Sequence, residues 1–177
     1  SIHTENTEAV INYMKTVLHE FYEQKWWASV NRESAIRGPG RNKLRTSRRF
    51  KKEFAASGYV KNIMQFKYRS EISKFVCGVA PLNIDTGRYD RLDEDERLCP
   101  VCNNDTVENE YHTMIECNAY NDIREDLFNN VVKNNRQFYD MNDQDKFEYL
   151  FTSDEICFYT AKACFSILRQ RSKILYK

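Results

Sequence analysis

The stretch R-L-C-P-V-C-N-N-D-T-V-E-N-E-Y-H-T-M-I-E-C-N, residues 97–118, decides how the rest of the chain is read. It sets Cys99, Cys102, His112 and Cys117 at the spacing C-x2-C-x9-H-x4-C. Two thiols separated by two residues can meet one ion across a tight turn whose amides donate to the sulfurs, and the His/Cys half then closes around the ion. Sulfur with imidazole is the donor set that zinc favours, so one structural Zn2+ is expected on these residues. Four protein ligands leave no coordination position for water, so chemistry at the metal is not expected. A redox C-x-x-C belongs to a strand-to-helix junction, and nothing near residues 99–102 reads as a βαβ unit. Nucleobase deaminases place H-x-E before P-C-x-x-C, whereas here the C-x-x-C comes first. Glu108 and Glu110 read as solvated acids on the intervening loop.

Outward from this cluster the apolar residues recur at helical spacing. Thr7 reads as a helix start, and Val10, Ile11, Met14, Val17, Leu18 and Phe21 predict a long amphipathic helix to about Trp27. The Arg/Gly/Pro-rich residues 32–42 predict an exposed loop, after which helix resumes near Lys43 and continues past Phe50, Phe54, Val60 and Ile63. A further helix, residues 69–76, should stop at Gly78, and residues 79–98 have loop composition. Beyond the cluster, helices are expected over residues 120–132, 143–151 and 154–173. Cys77, Cys157 and Cys164 lie among apolar neighbours and are expected in the core. The fold class is therefore mostly α, a helical bundle with a small CCHC knuckle, and strand alternation is found only near the metal, where a short β-hairpin would fit. Two parts are expected, residues 1–80 and residues 81–177, with packing into one compact unit left open.

At 177 residues, 41% hydrophobic and 30% charged, the chain has the composition of one or two globular domains. No run of eighteen apolar residues, signal peptide or lipidation motif is present, so no membrane association is expected and the setting reads as intracellular, nuclear or cytoplasmic. The first residue is Ser1 rather than methionine, which is what a segment cut from a longer protein would show.

A formal net charge of +1 conceals a strong asymmetry. Residues 25–74 carry fourteen bases against three acids, a net of +11, while residues 85–155 carry seven bases against nineteen acids, a net of −12. The basic density peaks over residues 37–52, where a Gly-Pro-Gly breaker leads into R-R-F-K-K. A basic loop entering a basic helix can follow a phosphate backbone, so Arg37, Arg41, Lys43, Arg45, Arg48, Arg49, Lys51 and Lys52 are the expected phosphate contacts. Phe50, Phe54, Tyr59, Phe66 and Tyr68 are interleaved with the charges. Most such rings pack inward, but one or two exposed faces would stack on unpaired bases, and Tyr59 and Tyr68 are the expected pair.

Three stretches resemble a known family. They are L-R-T-S-R-R-F-K-K-E-F at residues 44–54, K-Y-R-S-E-I-S-K-F at residues 67–75, and D-T-G-R-Y-D-R-L-D-E-D-E-R-L-C-P-V-C running into V-E-N-E-Y-H-T-M-I-E-C-N-A-Y at residues 85–120. Together they resemble the carboxy-terminal region of reverse transcriptases encoded by animal non-LTR retrotransposons, over residues 44–127. The resemblance implies that Cys99, Cys102, His112 and Cys117 are the CCHC zinc ligands that follow the polymerase. It also implies a role in holding template RNA or target DNA, beside the polymerase part of a parent protein. It carries no catalysis, because the paired aspartates of the polymerase signature and any nuclease constellation are absent from the chain. The expected function is a zinc-stabilised nucleic-acid-binding module, RNA favoured and DNA allowed, that is not by itself an enzyme. The alternative is a protein-interaction scaffold that docks on a polymerase or another partner.

Overall fold

The computed structural model describes residues 2–30 and 44–176. The chain divides into two compact units, residues 1–42 and residues 43–177. Arg37, Arg41 and Lys43, with the loop expected over residues 32–42, lie outside the described residues.

The described residues of the first unit form one helix, α1 (Ile2–Val30). The periodicity that predicts it is real, but the apolar side chains it spaces out are exposed: Val10, Ile11, Met14, Val17, Leu18, Phe21 and Tyr22 all face solvent. Trp26 and Trp27 are half-buried and meet edge to face with ring centroids 4.5 Å apart.

The second unit is built around its last helix. In chain order it contains α2 (Arg45–Phe50), α3 (Gly58–Asn62), α4 (Phe66–Val76), α5 (Asn83–Thr86), α6 (Asn121–Val131), α7 (Asp143–Thr152) and α8 (Cys157–Leu175). Helices α3, α4, α6 and α7 all pack on α8. The core runs from Ile63, Ile72 and Phe75 through Leu127, Val131, Phe147 and Leu150 to Ala161, Cys164 and Ile167. In α6 and α8 the buried residues recur at three and four, which puts them on one stripe of each helix. Asn142 caps α7 by accepting from the Asp145 amide at 2.9 Å. Helix α4 ends in a Schellman turn: Gly78 takes φ 63°, its amide donates to Phe75 O at 3.1 Å, and the Val79 amide donates to Lys74 O at 2.8 Å.

This mostly helical bundle agrees with the expectation from sequence, but the helix expected from Lys43 past Ile63 is broken by the irregular residues 51–57 into α2 and α3, and other details differ. The boundary expected near residue 80 does not divide the chain, because α4 before it and α8 after it bury their apolar faces against one another. Residues 79–98 are more ordered than their composition implies, holding α5 and two short 3-10 turns, Gly87–Asp90 and Glu94–Glu96. The hairpin reduces to a single antiparallel bridge, Leu98 with Val107, and no longer strand occurs among the described residues. Cys157 and Cys164 are buried as expected, while Cys77 is half-buried.

Candidate metal centre and basic surface

The bridge between Leu98 and Val107 brings the two halves of the cluster together. The Cys99 amide donates to Thr106 O at 2.8 Å and the Glu108 amide to Arg97 O at 2.9 Å. Asn103 and Asp105 turn the loop through left-handed φ values of 53° and 49°, which Asn and Asp tolerate better than other side chains. Asn109 then starts the helical segment, its Oδ1 accepting from the His112 amide at 2.8 Å. Residues His112–Glu116 form a π turn, closed where the Cys117 amide donates to His112 O at 2.7 Å. In an α-helix two residues five apart point about 140° away from each other. The wider turn swings Cys117 back to the side of His112, so the local distortion is what lets this pair share an ion.

The resulting group is compact. The ligand atoms of Cys99, Cys102, His112 and Cys117 lie within 4.8 Å of one another. The Cys99 and Cys117 sulfurs are 4.0 Å apart, and Cys102 Sγ is 3.4 Å from His112 Nε2. Metal–sulfur bonds of about 2.3 Å and metal–nitrogen bonds of about 2.0 Å in a tetrahedron place ligand atoms about 3.5–3.8 Å from each other, so the group fits one ion. His112 Nδ1 lies 3.2 Å from Glu116 Oε2. That contact assigns the ring proton to Nδ1 and leaves Nε2 as the ligand. Hydrogen bonding to Cys117 brings the Cys99 thiol down to about 3, and the same contact, with burial, pushes Cys117 up.

The helix that follows the knuckle and one remote in sequence hold it. From α6, Arg124 donates to Met114 O at 3.1 Å and to Cys117 O at 2.6 Å. From α8, Gln170 donates to Ala119 O at 2.7 Å, and Arg171 grips Glu108 through two bonds of 2.7 and 2.8 Å. Glu108 also accepts from the Asn83 amide of α5 and is wholly buried; Glu110 is buried too, at 3% exposure. The expectation that both are solvated loop acids is thus wrong: Glu108 is covered by α5 and α8, and Glu110 is buried where the helical segment begins. Arg171 was detectable in principle, since it stands four residues past Ile167 on the buried stripe of α8.

The basic surface is less uniform than its sequence. Arg45 opens α2. Arg48 is half-buried, whereas Arg49 is exposed, with its guanidinium 5.2 Å above the Phe50 ring and a bond to Gln144 Oε1. Lys51 is turned inward: its ammonium donates to Ala55 O and, at 2.9 Å, to Ser57 Oγ, and burial pushes its pKa down. Lys52 is exposed and donates to Arg49 O at 2.9 Å. The aromatic assignment needs correction. Tyr59 and Tyr68 are both packed against the core, Tyr68 edge-on to Phe158 and Phe165 at 5.7 and 5.4 Å, because α4 presents that side to α8. Exposed rings in this unit include Phe66 at 74% and Tyr89 at 73%, each next in sequence to a base, Lys67 and Arg88, as well as Tyr139 and Tyr176. No helix among the described residues is long and apolar enough to cross a membrane.

Compared with protein-family models, with curated proteins and with solved structures, the chain matches none.

Proposed function

We propose that residues 43–177 form a zinc-stabilised module that grips nucleic acid, RNA in preference to duplex DNA, as the carboxy-terminal part of a reverse transcriptase of the non-LTR retrotransposon type. The observation that carries the reading is the presence in one unit of a four-residue Cys3His group and of exposed bases on α2, α3, α4 and the segment joining α2 to α3: Arg49, Lys52, Lys61 and Lys67. Three thiol donors and one imidazole favour zinc among the common divalent ions, and a full ligand set suits a structural role better than a catalytic one. The zinc would shape the knuckle, and α2 to α4 would supply the cations. Phe66 and Tyr89 offer ring faces of the kind on which unpaired bases stack, which supports single strands over duplex. The module performs no reaction in this reading and belongs inside the cell, beside the polymerase part of its parent protein.

A second reading has its own support. Helix α1 exposes eight large hydrophobic side chains between Val10 and Tyr22, which favours a protein contact for that unit. The two readings concern different units and separate in one experiment. Binding of zinc-loaded protein to single-stranded RNA and to duplex DNA is measured across a salt series, with reversal of Arg49, Lys52, Lys61 and Lys67 to glutamate run alongside. Affinity for RNA should fall steeply with salt, by about 0.7 in log K per log salt for each phosphate contact, and the reversal should flatten that slope. A folded, zinc-loaded protein that binds neither nucleic acid would leave the scaffold reading standing alone.

A further inference from the structure

The second unit contains a cavity of about 390 Å³ between α2, α3, α4 and the turn joining α7 to α8. Its size falls within the range of pockets that enclose small ligands. Phe50, Ile72 and Leu150, all buried core residues, form an apolar floor. The wall is residues 51–57, the irregular segment between α2 and α3, and it is held in shape from inside by the Lys51 ammonium on Ala55 O and Ser57 Oγ. On the far side Gly58 touches Asp154 so closely that a Cβ there would lie 1.7 Å from Oδ1.

The chemistry of the lining is directional. The rings of Tyr59 and Phe151 line the cavity beside the Phe50 floor, which suits a flat ring. Lys52 and Lys61, both exposed, supply cations, with Glu53 as an opposing acid, while the Lys51 ammonium is engaged by the wall itself. The Asp154 carboxylate and the Ser57 and Ser153 hydroxyls supply acceptors for ring and exocyclic N–H groups. A flat heterocycle with hydrogen-bonding edges, attached to a phosphate, matches this arrangement better than an apolar ligand or a bare anion does. The cavity also opens among the cations assigned to the nucleic-acid surface.

We infer that this cavity receives one unstacked base of a single strand, with Lys52 and Lys61 on the phosphate beside it. The inference rests on the nucleic-acid reading above and adds a specific pocket to it. A base held this way would interrupt stacking at one position and set the register of the strand on the module.

The test uses the full, zinc-loaded chain. Adenosine 5′-monophosphate and uridine 5′-monophosphate are titrated while backbone amide shifts are followed by NMR, and a single-stranded oligoribonucleotide is titrated separately and in competition. The expected result is nucleotide-dependent shifts over residues 50–61 and 152–157, displaced by the oligonucleotide, with inorganic phosphate alone moving only the lysine-bearing amides. Ala56→Trp, at an exposed position on the cavity wall, should weaken mononucleotide binding at least tenfold by filling the space, and Lys61→Ala should weaken it severalfold without touching the core. Oligonucleotide binding with no mononucleotide response at these amides would overturn the pocket and leave the nucleic-acid reading intact. Mononucleotide shifts that the oligonucleotide does not displace would overturn the assignment to a strand. Failure of all three probes would remove both the pocket and the reading on which it rests.

Discussion

Arg171 of α8 and Glu108 of the metal knuckle, 63 residues apart in sequence, form a buried two-point ion pair, with bonds of 2.7 and 2.8 Å and side-chain exposures of 7% and 0%. Burial works against the Arg171 cation, but the Glu108 carboxylate outweighs it and holds the guanidinium above its usual pKa. The pair ties the loop that carries the ligands to the helix around which the bundle is organised.

Removing either partner strands the other as an uncompensated buried charge. Arg171→Met should destabilise the second unit by about 3–5 kcal/mol in urea denaturation. Glu108→Gln should cost less than that, because the amide oxygen can still accept one bond. The double variant should recover part of the Arg171→Met loss. Additive losses would show that the two side chains are not coupled.

Metal removal should act on the knuckle first. Cys102→Ser, or chelation of the wild type, should release residues 98–120 to fast amide exchange, since structural zinc commonly supplies about 10–16 kcal/mol of apparent binding energy. Glu116→Gln is the finer probe, because Glu116 lies outside the four-residue group and meets it through His112 Nδ1. Loss of such an outer partner typically lowers metal affinity about 10–100-fold, which competition with a chromophoric chelator would read. Unchanged affinity would mean that the imidazole is oriented by its packing alone.

Gly78→Ala should cost about 1–2 kcal/mol, because the left-handed turn that ends α4 penalises any Cβ. Asn at the same position should cost less. Equal stability of the alanine variant in urea would show that the turn relaxes without loss.

A chain shortened to residues 43–177 should keep the melting temperature and metal stoichiometry of the second unit, because α1 forms a compact unit of its own. Differential scanning calorimetry and metal analysis of the two chains decide this. A large drop in melting temperature would mean that the second unit depends on the first.

What could be read from the amino-acid order alone was what depends on neighbours in sequence. The ligand set Cys99, Cys102, His112 and Cys117 shows in its spacing, because a turn and a helical segment need only local geometry to present donors. Helices α1, α6, α7 and α8 were legible from apolar periodicity, and the end of α4 from Gly78. Burial was not legible, since it depends on what arrives from elsewhere in the chain. An acid in a polar loop looks solvated until Arg171 and the Asn83 amide meet it, and Glu108 has no local sign of either. Tyr59 and Tyr68 sit among lysines and arginines in sequence, yet the helices that carry them turn those rings to the core and leave Phe66 outside. Lys51 reads as one more phosphate contact, but the fold points it into the loop beside the cavity. Tertiary structure decided these cases because each side chain's free energy is set by the dielectric and the partners around it, and both are assembled only when distant segments pack.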